Sequence, residues 1–168
     1  MTRPINAGLI CMLVAASALA TAGEPAATTD RQQEVRRNGE QVMPFSLDRT
    51  QHVFDKTADG GIQRVHARSG SGDQVARIRM HLRSIAQSFA ARDFSAPAHI
   101  HGAGMPGMAE LRAAGPDELQ VTYRDIDGGG EIDYLGRTPA IVAAIHRWFD
   151  AQLADHGRDA TSHAEPGQ

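Results

Sequence analysis

Eight histidines and six methionines occur among the 168 residues of this chain. Imidazole nitrogen and thioether sulfur are both transition-metal ligands, and the thioether selects the softer, reduced copper ion. The densest grouping is Pro97-Ala-His99-Ile-His101-Gly-Ala-Gly-Met105-Pro-Gly-Met108. A His-x-His step puts both rings on one side only where the backbone is extended. On this reading His101 and Met105 form one half of a site for copper, for zinc or for a small ligand, with His52, His81, His146 and His156 as candidate partners. The competing reading is structural, with imidazoles bonded to backbone and methionines filling gaps under a loop. No spacing here is diagnostic of a metal by itself.

Each partner carries its own expectation. His52 shares a strand face with Phe54 and, across a hairpin, with Val65 and Ala67, so it should point toward a helical layer; His66 falls on the opposite face with Val53. His81 and His146 each lie eight positions after a helix cap, about 12 Å along. Both flank their apolar stripes, on opposite sides, so they face one another only if their helices run parallel. His156 precedes Gly157 and could bond the last carbonyls of its helix. His163 lies in a polar tail.

Other chemistries are thinly represented. The single Cys excludes a disulfide framework, a cysteine zinc cluster and an iron–sulfur site. No Gly-x-Ser-x-Gly turn and no glycine-rich loop entering a helix occurs, so nucleophilic catalysis and phosphate binding lack their usual carriers. A net charge of −3 gives no electrostatic case for nucleic acid. Asp125, Asp127, Glu131 and Asp133 surround a glycine turn without the calcium-loop spacing, and read as a solvated hairpin end.

The histidines need a scaffold, and the chain begins with an address for it. Arg3 precedes an uncharged run from Ile5 to Ala22 that ends in small residues, the pattern of a cleaved secretory signal over residues 1–22. The apolar core from Ala7 to Ala20 is short for a bilayer span. The expectation is a periplasmic or secreted protein with no membrane span after cleavage and, once Cys11 is removed, no thiol.

Residues 23–44 read as a flexible lead-in containing a short polar helix from Asp30 to Asn38. Residues 45–157 read as a single α+β domain in which one β-β-α unit is written twice, and residues 158–168 as a mobile tail. In the first unit, strand-like stretches flank Ala58–Gly61; in the second they flank Asp127–Gly130. Pairing Thr57 with Ile62 would set Asp55 opposite Arg64, and pairing Ile126 with Glu131 would set Arg124 opposite Asp133. After the first hairpin, Asp73 caps a helix with Val75, Ile78, Leu82, Ile85 and Phe89 in one stripe. After the second, Thr138 and Pro139 open a helix with Ile141, Ala144, Ile145, Trp148 and Phe149. The expected fold is a two-layer sandwich, a four-stranded mostly antiparallel sheet covered by two helices. The stretch Phe94–Pro116 reads as a long connection with one helical turn at Met108–Ala113.

The stretches from Phe45 to Phe54, from Asp93 to Gly107, Ile78-Arg-Met-His81-Leu82 and from His146 to Gln152, with Asp155-His156-Gly157, resemble a family of small exported bacterial proteins often named aspartate carbamoyltransferase. The resemblance covers nearly all of the chain after the signal. It implies export and recurring positions at His52, His101, Met105, His146 and His156, and no mechanism. The carbamoyltransferase reaction is not expected, because neither the Ser-Thr-Arg-Thr phosphate loop nor the His-Pro-x-Gln motif of those enzymes occurs. Three functions follow from the residues. The first is binding of a small ligand or transition metal. The second is hydrolysis with a histidine base or zinc-bound water, which needs a carboxylate such as Asp150 or Asp155 beside the ring. The third is an interaction module with structural histidines.

Overall fold

A computed structural model describes residues 29–163. The expected signal segment lies outside the described residues. Five helices and five strands follow one another as α1 (Asp30–Val42), β1 (Thr50–Thr57), β2 (Gly60–Ala67), α2 (Val75–Ala90), α3 (Ser95–His101), α4 (Met108–Ala113), β3 (Leu119–Ile126), β4 (Gly129–Gly136), α5 (Pro139–His156) and β5 (Ala160–Thr161). The class is α+β. The sheet has five strands in the order β3-β4-β2-β1-β5 and is mixed, because β5 lies parallel to β1 while every other pair is antiparallel. No described helix is long and apolar enough to cross a membrane.

The two hairpins join through their second strands, β2 against β4. Each long helix then covers mainly the other unit's hairpin, α2 lying over β3 and β4 and α5 over β1 and β2. Both hairpins turn more tightly than the charge pairing suggested. Thr57 pairs with Gly60 and Ile126 with Gly129, which leaves two-residue turns at Ala58-Asp59 and Asp127-Gly128. Short hairpin turns match the twist of the flanking strands better than wider ones. The charge pairs survive in altered form. Arg64 reaches Asp55 diagonally at 2.7 Å and Glu131 at 2.6 Å, and Glu131 is also held by Arg124. Glu131 is therefore a buried acid between two guanidiniums, not part of a solvated end.

Four further departures shape the site. Helix α1 runs on to Val42 and is capped by Thr29 in a reciprocal box with Gln32, four residues longer than Asp30–Asn38. Asp73 does not cap α2; it lies in a 3-10 turn and pairs with Arg49. The stretch read as loop folds as α3, so His99 and His101 fall on opposite sides, His99 exposed and His101 buried. Beyond Gly157, Asp159 is buried against Arg36 at 2.6 Å and Ala160–Thr161 extend the sheet, where a tail was expected.

Between the layers sits a core with more aromatic character than the composition suggests. All five Phe, the single Trp148 and Tyr134 are buried. Trp148 meets Phe89, Phe94 and Tyr134 edge-on, with centroids 5.5, 6.0 and 5.4 Å away. Such edge-to-face pairs add about 0.5–1.5 kcal/mol each beyond area burial.

Gly107, at the start of α4, adopts φ 81°, and a Cβ there would stand 2.1 Å from the Ala144 carbonyl oxygen of α5. Gly107→Ala is expected to lower stability by about 2–4 kcal/mol, from left-handed strain plus loss of the α4–α5 approach. Urea denaturation midpoints check this; a change below about 1 kcal/mol would contradict it.

Candidate functional site: a histidine-lined cavity

Strand alternation and helix periodicity converge on one place. In β1, Thr50, His52 and Phe54 turn to the helical layer, and Gln63 of β2 sits opposite Phe54. In α5 the four-residue step from Trp148 to Gln152 to His156 puts all three on one face. Helix α2 adds His81, Leu82 and Ile85, and α3 adds Pro97, Ile100 and His101. All of these side chains except Thr50 line a cavity of about 60 Å³, partly open to solvent. That is room for more than one water, which needs about 10–15 Å³ by the same kind of measure.

Three rings stand in a row. His156 lies 5.1 Å from His52 with nearly parallel planes, and 5.0 Å from His101 edge-on. Phe45 closes one side against His52 and His81 at 5.9 and 5.5 Å. Burial in this apolar setting disfavours the charged form of every one of the four imidazoles. It pushes His52 down to about 4, with help from His81, His101 and Arg68, against the Asp159 backbone group, which raises it. Burial holds His156 well below its ordinary value, with His52 and His101 acting in the same direction. Burial also lowers His81 and His101, although Asp155 works to raise His101. At neutral pH the site is a set of uncharged rings.

Neutral imidazole has one donor nitrogen and one lone pair, so partners fix the tautomer. Asp155 Oδ2 is 2.8 Å from His101 Nδ1, and an ionised carboxylate can only accept; Nδ1 therefore carries the hydrogen. Nε2 is left with the lone pair. Arg31 fixes the carboxylate from outside, donating to Oδ1 at 3.0 Å and to Oδ2 at 2.7 Å, and it also donates to the His101 carbonyl oxygen at 2.6 Å. His52 has the complementary arrangement. Its ring donates to the Asp159 backbone, and its Nδ1 is buried with no hydrogen-bond partner. The other polar groups on the wall are Gln63, whose Oε1 accepts from the Tyr134 hydroxyl at 2.7 Å, and Gln152.

Four of the six candidate ligands thus meet at the cavity: His52, His81, His101 and His156. The other two are elsewhere. His146 Nε2 donates to the carbonyl oxygens of Thr57 and Gly60 at 2.9 and 3.0 Å and so holds the first hairpin turn against α5. Met105 is buried with its sulfur accepting from Trp148 Nε1 at 3.2 Å. His156 does not cap its helix; it packs on His52 instead. Asp155 lies beside a ring, whereas Asp150 pairs with Lys56.

Among the described residues no three His, Cys, Asp or Glu side chains are grouped to hold a metal ion. The row explains this, since three imidazoles on one tetrahedral zinc would each lie about 5 Å from both others. Residues that the sequence did not single out are Arg31, Gln63, Gln152 and Asp159. Only Gln152 carried a signal, four residues after Trp148 on the α5 stripe. Comparisons with protein-family models, with curated proteins and with solved structures give no match.

The neutral cluster sets a pH dependence of folding. His52 has a lower pKa folded than its ordinary 6.5, so the unfolded chain takes up a proton more readily. Stability is full above about pH 6.5 and falls as pH drops toward 4, by about 3 kcal/mol for this ring. In urea denaturation at pH 7 and pH 4.5, His52→Gln should lose about 2–3 kcal/mol less than the unaltered chain. Equal losses would contradict the assignment.

Proposed function

We propose that this chain is an exported protein, periplasmic or secreted, that binds a small uncharged molecule in the His52–His156–His101 cavity. The observation that carries the reading is the buried, unpartnered Nδ1 of His52, a residue that lines the cavity. An unmet buried acceptor costs about 1–3 kcal/mol, and a bound N–H or O–H donor removes that cost. His101 Nε2, backed by Asp155, offers a second lone pair. Two acceptors and aromatic walls select a ligand with an apolar body and a donor, and they reject an anion. Export rests on Arg3 and the run from Ile5 to Ala22, together with the resemblance of the chain to small exported proteins. A copper or zinc ion is the other occupant such rings can take, because their outer nitrogens are held by a carboxylate and a backbone group, as in metal-ligating histidines. The row of rings would have to regroup for it.

Phenol, toluene and benzoate serve as probes, with copper and zinc titrated in parallel. Phenol should bind saturably, with toluene at least about tenfold weaker and benzoate weaker still, and His52→Leu should erase the phenol–toluene difference. Equal binding of phenol and toluene would overturn the reading. Tight copper or zinc binding lost in His101→Ala and retained in Met105→Ala would replace the organic ligand by a metal.

A further inference from the structure

The geometry points to catalysis at this cavity: His101 Nε2 is a general base that removes a proton from carbon in a small uncharged α-hydroxy carbonyl compound, whose hydroxyl is the donor for His52, with Asp155 and Arg31 as its positioning residues. The inference rests on the ligand-binding reading above and adds a reaction to it.

The argument starts from what the relay does. A buried imidazole used only for packing needs no carboxylate, yet His101 has one at 2.8 Å, itself gripped by Arg31 through both oxygens. His101 Nδ1–H points to Asp155, so Nε2, across the ring, is the nitrogen left for the cavity that His101 lines. The carboxylate fixes the tautomer and stabilises the imidazolium that forms when Nε2 takes a proton, while burial keeps the resting ring neutral and ready to accept. The charged and titratable groups facing this ring are Asp155 and Arg31, which are ionised, and the neutral rings of His156 and His52. On the same cavity wall stands Gln63, whose amide oxygen is engaged by Tyr134, so that its NH₂ is the group available to donate to a ligand.

The chemistry of the step follows from the groups present. No cysteine lies among the described residues and no serine or threonine lines the cavity, so covalent acyl transfer has no nucleophile. Proton transfer needs only a base and a donor for the carbonyl. The α C–H bond breaks, its proton goes to His101 Nε2, and the electron pair moves into a C=C bond as the carbonyl oxygen becomes an enolate oxygen held by the Gln63 amide. Return of a proton from the imidazolium to carbon restores the ketone. No oxidant, reductant or co-reactant is consumed; in heavy water the hydron on Nε2 exchanges with solvent before its return, so carbon receives deuterium.

The test uses hydroxyacetone in D₂O, with loss of the α-proton signals followed by NMR and binding followed by titration on the same samples. Exchange should run at least about 100-fold faster with the protein than with an equal concentration of free imidazole. His101→Gln should lose about 100-fold or more of that rate while still folding, as judged by its melting curve. Asp155→Asn should lose about tenfold and move the acidic limb of the rate profile to lower pH, because it removes the charge that raises the base. A purely structural role for Asp155 would leave that limb in place. His99→Ala, exposed on the same helix, should exchange at the normal rate. Binding of hydroxyacetone without accelerated exchange, or equal exchange in His101→Gln, overturns the base and leaves ligand binding standing. Absence of binding by hydroxyacetone and by phenol overturns both.

Discussion

Four imidazoles can share one apolar pocket at rest only if they are uncharged, and no two of them can hold a proton's charge at once. Two protonated rings 5 Å apart in a medium that solvates neither would repel strongly, and burial already disfavours the first proton. Much of the surrounding structure meets that constraint. Phe45, Phe54, Phe89 and Trp148 exclude water on the inside, and the charges that serve the cluster stand outside it, with Asp155 on the far side of His101 and Arg31 beyond Asp155. The carboxylate is balanced by the guanidinium before it meets the ring. His101 therefore gains an oriented acceptor without a bare negative charge at the cavity.

The chain ends complete the arrangement, which gives α1 a purpose its sequence does not advertise. Its buried residues are only Val35 and Gly39, too thin an apolar face to hold a helix by packing. It is held by polar side chains instead. Arg31 reaches Asp155 and the end of α3, Gln32 the Ala154 carbonyl, Asn38 the Ile100 carbonyl, and Arg36 both Asp48 and Asp159. Exposed pairs of this kind contribute about 0.2–1 kcal/mol each, so the strap holds through their number. Its targets are the segments that carry His101, His156 and the backbone partner of His52. The strap fixes the cluster from three sides.

Legibility followed the range of the interaction. The β-β-α repeat, the α5 cap at Thr138 and its stop at Gly157 could be read because each is encoded within a few residues. So could the inward face of His52, which follows from strand alternation with Phe54. The hairpin registers were misjudged by two residues because opposite charges can also meet diagonally, as Arg64 and Asp55 do. Helix α3 was hidden by Pro97 and the neighbouring glycines. Pro97 occupies only the third position of α3, inside the first turn, where the missing N–H is not needed. That error mattered most, since an extended His-x-His would have placed His99 beside His101. Arg31 and Asp155 are 124 residues apart, and nothing local in either announces the other.

The remaining tension lies at His52. Folding normally pairs or solvates every buried polar atom, and here one ring nitrogen is left with neither while the other is bound to backbone. Leucine, an apolar side chain of comparable size, would pack against Phe45 and Phe54 with no orphaned lone pair, so packing alone gives no reason for an imidazole at this place. The same holds for His101, whose carboxylate, guanidinium and buried ring form a costlier assembly than an aliphatic side chain on α3 would. Two such departures on the wall of one cavity, each leaving a lone pair on a neutral ring, are accounted for together by a bound molecule that engages them. Separately, each would be a defect that a single substitution could remove.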